Sequence, residues 1–192
     1  MFLYRKKGAL SPKFCDTLIE TFEASDLKQP GVLYGENGFD SEGSKKSTDI
    51  SFHPGYLEDS TWGPLLKELI PIIEKGKSDY ITRYWLGMER IDPFEINSYF
   101  NIQRYLPSEG FLGYHCERAS MKHANRILAW MVYLNDVTDA GETEFYYQHH
   151  FEEAEKGKLV IWPADWTYMH RGISSPTQTK YIITGWFTQP KK

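Results

Sequence analysis

Pro93 divides this chain into two kinds of patterning, and that division limits the possible folds more than any other feature. Before it, apolar residues recur at helical spacing. Ser11-Pro12 offers an N-cap followed by proline at the first helical position, and Phe14, Leu18, Ile19 and Phe22 then share one face. This helix is expected to end near Ser25. A second helix is expected from about Thr61 to Tyr84, with Leu65, Leu66, Leu69, Ile70, Ile73, Tyr80 and Tyr84 as its apolar stripe and a kink at Pro71. Between the two, Gln29–Ser47 is rich in glycine, serine and charge. It reads as a loop with at most a short strand near Val32–Tyr34, followed by a brief strand at Asp49–Phe52.

After Pro93 the runs are short and strand-forming: Glu95–Tyr105, Arg126–Leu134, Glu144–Gln148, Lys158–Trp162 and Lys180–Thr188, separated by Gly, Pro, Asn and Asp clusters. Helices first and strands afterwards predict a mostly β fold with N-terminal helices, not alternating α/β. No internal repeat or low-complexity tract interrupts the chain. Residues 1–192 therefore read as one domain, with 1–92 as helical support and lid region and 93–190 as the β core. At 192 residues the chain can bury a core without a disulfide staple. Its aromatic content of 16% suits packing on pleated surfaces.

Charge and cysteine usage narrow the partners. The net charge is −4 and no basic stripe is present, so no nucleic-acid partner is expected. Cys15 and Cys116 are the only cysteines and form no C-x-x-C pair, which points to a reducing, cytoplasmic setting. Met1–Lys7 lacks the apolar core of a signal peptide, and no apolar run approaches the ~18 residues of a membrane span. No membrane partner is expected.

Three residues suggest a metal. His115 and Glu117 flank Cys116, and His170 follows much later. On a strand, residues i and i+2 face the same way, so His115 and Glu117 could aim at one ion. A histidine from a later strand would complete a two-histidine, one-carboxylate set, which leaves coordination positions open and suits non-haem Fe(II). Taken alone the pattern is weak, because six histidines and many carboxylates supply it by chance. Lys180 adds weight. It stands in a strongly strand-forming segment with Ile182, Thr184 and Trp186 on its face, and a cation there needs an anionic partner or a route to solvent.

From about Asn97 to Phe187 the chain resembles the prolyl-4-hydroxylase-like branch of the 2-oxoglutarate/Fe(II) dioxygenase superfamily. The resemblance lies in Arg104-Tyr105-Leu-Pro-Ser-Glu-Gly110, Tyr114-His115-Cys-Glu117, Arg126 through Asn135, Gly141 through Phe145, Gly157 through Trp162, His170-Arg-Gly172 and Lys180 through Trp186, in that order and spacing. It implies a double-stranded β-helix, a jelly-roll barrel backed by helices. It implies Fe(II) held by His115, Glu117 and His170, with 2-oxoglutarate and O2 as co-substrates. Lys180 would pair with the distal carboxylate, Tyr105 and Tyr133 would hydrogen-bond the co-substrate, Thr184 would assist and Trp186 would wall the pocket. The expected activity is hydroxylation of a peptidyl prolyl or other amino-acid substrate, with release of succinate and CO2. The partner would be a peptide, a protein or a small amino-acid-like molecule. The chain departs from the usual pattern in carrying Glu117 where aspartate is common, and Lys180 where some relatives carry arginine. Its rival reading is a jelly-roll binding module without catalysis, which only Glu117 favours.

Other residues carry plainer expectations. Cys116 should face away from the metal. His123 and His53 read as loop residues, and His149–His150 as a solvated strand end. Arg126 reads as a cap on the site or a substrate contact, and Arg118 and Arg171 as cations neighbouring a ligand. Trp130, Tyr146, Tyr147 and Trp162 read as barrel core. Gln29–Ser47 is expected to order over the pocket when substrate binds.

Overall fold

The computed structural model describes residues 1–31 and 44–190. In chain order its elements are β1 (Tyr4–Lys6), α1 (Pro12–Ala24), β2 (Gln29–Pro30), β3 (Thr48–Phe52), α2 (Trp62–Arg83), α3 (Trp85–Met88), β4 (Glu95–Ile96), β5 (Phe100–Tyr105), β6 (Phe111–His115), β7 (Arg126–Tyr133), β8 (Thr143–Phe145), β9 (His150–Glu152), β10 (Leu159–Pro163), β11 (His170–Gly172) and β12 (Lys180–Thr188). Val32–Gly43 lie outside the described residues, and with them fall the strand expected near Val32–Tyr34 and most of the expected lid.

The helices begin where their sequence says they should. The Ser11 hydroxyl accepts from the Phe14 amide at 3.2 Å, a cap that contributes about 1 kcal/mol. Pro12 occupies the first turn and Ser25 closes the helix. Phe14, Cys15, Leu18 and Phe22 form its buried face. Pro71 lies inside α2, whose Leu66, Leu69, Ile73 and Tyr80 are buried.

Two antiparallel sheets carry the rest. The larger runs β1-β10-β7-β12-β5-β3-β2, with β4 added at the end of β12; the smaller runs β6-β11-β8-β9. The first 92 residues are thus more than helical support, because β1 and β3 are strands of the large sheet. The single strand expected over Glu95–Tyr105 is two. The Asn97 side chain accepts from the Tyr99 amide at 2.8 Å and turns the chain between β4 and β5.

Strand β7 shows why alternation of polarity is missing from the central strands. Leu128, Trp130 and Val132 join a core that includes Leu18, Phe22, Leu66, Leu69 and Ile73 of the helices. Ala129, Met131 and Tyr133 point the other way, into a second core with Tyr105, Phe145, Trp162 and Ile182. Both faces are buried, so both are apolar. Gly185 on β12 is required by packing. A Cβ there would meet Phe100 and Trp130 atoms at 2.7 Å.

Two expectations for the core need correction. Trp130 and Trp162 are buried, but Tyr146 and Tyr147 are exposed. They belong to a surface aromatic string in which Tyr146 packs edge-on against Tyr114 and Tyr147 against Trp166. His150 does open a strand, β9, but its half-buried ring is engaged, with Nε2 2.9 Å from a Glu152 carboxylate that is itself buried. His53 caps a short 3-10 turn by accepting from the Gly55 amide, in keeping with a turn residue.

Candidate metal centre and co-substrate cleft

The small sheet brings the two histidines together. β11 pairs antiparallel with β6, and His170 is the direct cross-strand partner of His115. Their ring centroids lie 4.2 Å apart. Glu117 follows just beyond the end of β6, in a turn and not on the strand, where the Arg118 amide donates to the Ala164 carbonyl at 2.9 Å. The same break explains Cys116. Strict alternation stops at His115, and this half-buried cysteine borders the cleft.

Hydrogen bonding fixes which atoms face inward. His115 Nδ1 lies 3.0 Å from the Gly113 carbonyl and His170 Nδ1 lies 2.9 Å from the Tyr168 carbonyl. A carbonyl only accepts, so each Nδ1 carries the proton and each Nε2 presents a lone pair. Glu117 Oε1 is 3.3 Å from His170 Nε2 and 3.7 Å from His115 Nε2. One potential ligand atom from each residue falls within 4.8 Å of the others. Three acceptors converging on one point repel each other unless a cation joins them. Two imidazoles and a carboxylate are the donor set that suits Fe(II) with positions left open.

The second oxygen of Glu117 is held from behind. Trp186 Nε1 donates to Oε2 at 2.6 Å, and Arg126 Nη1 lies 3.5 Å from it while donating to the Glu117 carbonyl at 3.1 Å. The Arg126 guanidinium in turn stacks 3.6 Å over the Trp186 ring. Arg126 therefore does cap the site, through Glu117. Phe111 stacks on His115 at 3.7 Å with ring planes 7° apart. Burial, reinforced by His170, pushes the His115 pKa down to about 4, keeping it neutral and ready to ligate. Burial opposes ionisation of Glu117, but any proton taken up by His170 or His115, together with the Arg126 charge, favours the carboxylate, and its carboxyl stays well below the usual range.

Lys180 stands on the large sheet, across the same cleft. Its side chain is 4% exposed. Its ammonium donates to the Gly141 carbonyl at 3.0 Å and to the Ile173 carbonyl at 3.4 Å. That uses two of three protons. Burial pushes its pKa down to about 8, with Glu142 pulling the other way. A nearly enclosed cation with a proton to spare fits the far carboxylate of a dicarboxylic acid. Lys180, Ile182, Thr184 and Trp186 all line the cleft, as do His115, Glu117 and His170. Its volume is ≈ 1920 Å³, beyond the about 300–1,000 Å³ of an ordinary small-ligand pocket.

Residues 100–188 match the family model of the 2OG-Fe(II) oxygenase superfamily. The matched segment carries His115, Glu117, His170 and Lys180. No curated protein matches it. Among solved structures it is similar to the viral collagen prolyl hydroxylase of Paramecium Bursaria Chlorella virus-1 in complex with 2-oxoglutarate. That likeness has a TM-score of 0.72 at 18% identity and covers 99% of this chain and 97% of that one. A Pseudomonas putida prolyl-4-hydroxylase gives 0.70 at 16% identity, over 98% and 92%. A Trichoplax adhaerens prolyl hydroxylase in complex with a hypoxia inducible factor peptide fragment gives 0.71 at 14%, over 97% and 83%. At these identities the likeness establishes a common fold. The superfamily works with Fe(II), 2-oxoglutarate and O2, and the donor set and the buried lysine of this chain fit those groups.

The tyrosines expected to hold the co-substrate are placed differently from one another. Tyr105 lines the cleft directly opposite Lys180 in the strand register, with the Lys180 ammonium 5.3 Å from its ring centroid. Its hydroxyl, however, donates to Gln103 Oε1 at 2.8 Å. Tyr133 is fully buried behind the lining. Its hydroxyl is engaged by Thr143 Oγ1 at 2.7 Å and the Glu152 carbonyl at 3.1 Å, and it is Thr143 that reaches the cleft. Thr184 lines the cleft with its hydroxyl donating to the Trp130 carbonyl at 2.9 Å. Arg171 is paired with Glu144 and stacks on Tyr114, whereas Arg118 is exposed. His123 borders the cleft near Ser120. Sequence reading missed Gln103, Asp49 and Lys45. The available signal was that Gln103 precedes Tyr105 by two positions and so shares its strand face.

Proposed function

We propose that this protein is a 2-oxoglutarate- and O2-dependent Fe(II) dioxygenase that hydroxylates a prolyl residue in a peptide or protein. We read its two sheets as the walls of a double-stranded β-helix with α1 and α2 packed outside. The observation that carries the proposal is a buried lysine and a convergent His-Glu-His set lining one cleft. His115, Glu117 and His170 would hold the iron, and Lys180 would hold the distal carboxylate of 2-oxoglutarate. When bound, iron and 2-oxoglutarate supply the O2-dependent oxidation, releasing succinate and CO2. The chain's own contribution is orientation. The Gly113 and Tyr168 carbonyls fix the imidazole tautomers, Trp186 and Arg126 fix the carboxylate, and the apolar walls of Phe111, Met131 and Ile182 restrict water. The volume of the cleft favours a polypeptide over a free amino acid, and prolyl hydroxylases share this fold.

The test is an anaerobic titration of the apoprotein with Fe(II) and 2-oxoglutarate, watching for the weak visible charge-transfer band of a keto-acid chelate. We expect the band in the wild type, a weaker one in Lys180→Ala and none in His170→Ala. Proline-containing peptides should then raise succinate release. A folded wild type that gives no band would overturn the assignment. A band without any stimulation by such peptides would sink the prolyl substrate alone.

A further inference from the structure

A row of hydrogen bonds along the cleft wall converges on Asp49. It begins at Lys45, whose ammonium lies 2.8 Å from Asp49 Oδ2. Ser47 donates to Asp49 Oδ1 at 2.8 Å, and Gln103 Nε2 donates to Oδ2 at 3.0 Å. Asp49, Gln103 and Tyr105 are all buried. Strand pairing sets the row, because Asp49 on β3 is the cross-strand partner of Gln103 on β5, and Tyr105 follows on the same face. A carboxylate paired to an ammonium accepts and never donates. The Gln103 amide must therefore turn its NH2 toward Asp49, since the reverse would set two oxygens against each other. Its Oε1 is then left facing Tyr105, and the Tyr105 hydroxyl can only donate to it.

We infer that the Lys45–Asp49–Gln103 relay holds the Tyr105 proton away from the co-substrate, so that Tyr105 presents only an acceptor oxygen beside Lys180. This rests on the co-substrate site proposed above. A carboxylate near Lys180 needs donors, and Tyr105 is its closest cross-strand neighbour with a hydroxyl. With that proton committed to Gln103, Lys180 provides the donated contact and Tyr105 contributes its ring. Gln103 and Asp49 are positioning residues that keep 2-oxoglutarate binding weaker than the pocket would otherwise allow. Removing the Gln103 acceptor releases the hydroxyl to donate to the co-substrate.

The inference predicts an inverted mutant cycle. Binding of 2-oxoglutarate to Mn(II)-loaded protein is measured by calorimetry for the wild type, Tyr105→Phe, Gln103→Leu and the double variant, with thermal unfolding as a folding control. Tyr105→Phe alone should change the Kd little. Gln103→Leu should tighten binding by about tenfold, the worth of one added hydrogen bond to a charged group. Tyr105→Phe in that background should erase the gain. If Tyr105→Phe weakens binding about tenfold in the wild-type background, or the Gln103→Leu gain survives loss of the hydroxyl, the relay does not act as inferred. A wild type that binds Mn(II) but no 2-oxoglutarate, with Lys180→Ala indistinguishable from it, sinks the co-substrate site itself and the relay's role with it.

Discussion

Glu117 and Glu152 are assembled from similar parts and end up with opposite properties. Each is a largely buried carboxylate with histidine and arginine beside it. Glu152 on β9 is closed. Lys158 Nζ lies 2.6 Å from Oε1, His150 Nε2 lies 2.9 Å from Oε2, and Arg5 of β1 also pairs with Oε2. Lys158 and Arg5 are permanent cations that donate to it, and Arg5 Nη2 also lies 2.8 Å from His150 Nε2, so the anion is neutralised within the fold and staples β1 and β9 to the segment leading into β10. Glu117 is open. Its Oε2 is held by Trp186 and Arg126, while its Oε1 faces two imidazole lone pairs. One cluster is complete in itself, and the other becomes complete only around a cation. What separates a structural ion cluster from a metal centre here is whether both carboxylate oxygens already meet a permanent cation: those of Glu152 do, and Glu117 Oε1 does not.

The sharpest way to break this contrast is to neutralise each glutamate in turn. Glu152→Gln leaves Lys158 and Arg5 without their anion, and should destabilise the protein by about 3–5 kcal/mol with Mn(II) affinity unchanged. Glu117→Gln should do the reverse. Urea unfolding of the apoprotein should move less, because Arg126 keeps its bond to the residue-117 carbonyl, while Mn(II) affinity should fall by more than the roughly 100-fold that outer contacts cost. Acid sharpens the same point. Burial opposes ionisation of Glu152, but Lys158, His150 and Arg5 outweigh it and lower its pKa below the ordinary glutamate value of 4.5. A depressed carboxylate stabilises the fold above its unfolded value, and that contribution is lost as pH falls through the folded one. Acid destabilisation should therefore shrink in Glu152→Gln. Equal losses of stability in both variants would remove the distinction.

A smaller effect is expected one contact further out. Trp186→Phe keeps the ring that Arg126 stacks on and deletes only the N–H held against Glu117 Oε2. Loss of a comparable outer contact typically costs about 10–100-fold in metal affinity, so Mn(II) titration should show a drop in that range with little change in unfolding. No change would mean that Arg126 alone orients the carboxylate.

These contacts differ in how far the sequence reveals them. The Ser11 cap and the common face of Lys180, Ile182, Thr184 and Trp186 are local, and periodicity exposes them; the nearness of His115 to Glu117 is local too, but a turn and not strand alternation brings it about. The partnership of His115 with His170 needed a family resemblance, because the register of β6 against β11 is set by the sheet and not by the pattern of either strand alone. The Glu152 staple joins Arg5 to a residue 147 positions away, and no local pattern hints at it. Tyr146 and Tyr147 follow a strand-forming run but fall in the turn after β8, so their aromaticity suggested a core they do not enter. Tyr105 was legible as a site residue. The direction of its hydrogen bond was not, because that depends on Asp49 across the strand pair.

The smallest expected effect distinguishes Lys180 from the permanently charged staple. Lys158 meets its carboxylate inside the fold, whereas Lys180 is surrounded by carbonyls and apolar walls, and burial pushes its pKa down to about 8. Below that value the ammonium is present and the dicarboxylate meets a cation. Above it the free protein has lost the proton, and binding must recover it. Affinity for 2-oxoglutarate should thus be flat up to about pH 8 and then fall by up to roughly tenfold per pH unit. Calorimetry in buffers of different ionisation heat should show proton uptake on the alkaline side only. Lys180→Arg keeps its charge throughout this window, so its affinity, whatever its absolute strength, should lose the alkaline slope. A wild type whose binding stays flat well above its neutral-pH value would mean that a nearer anion, not the co-substrate, sets the charge of Lys180, and the open cleft would then resemble the closed staple after all.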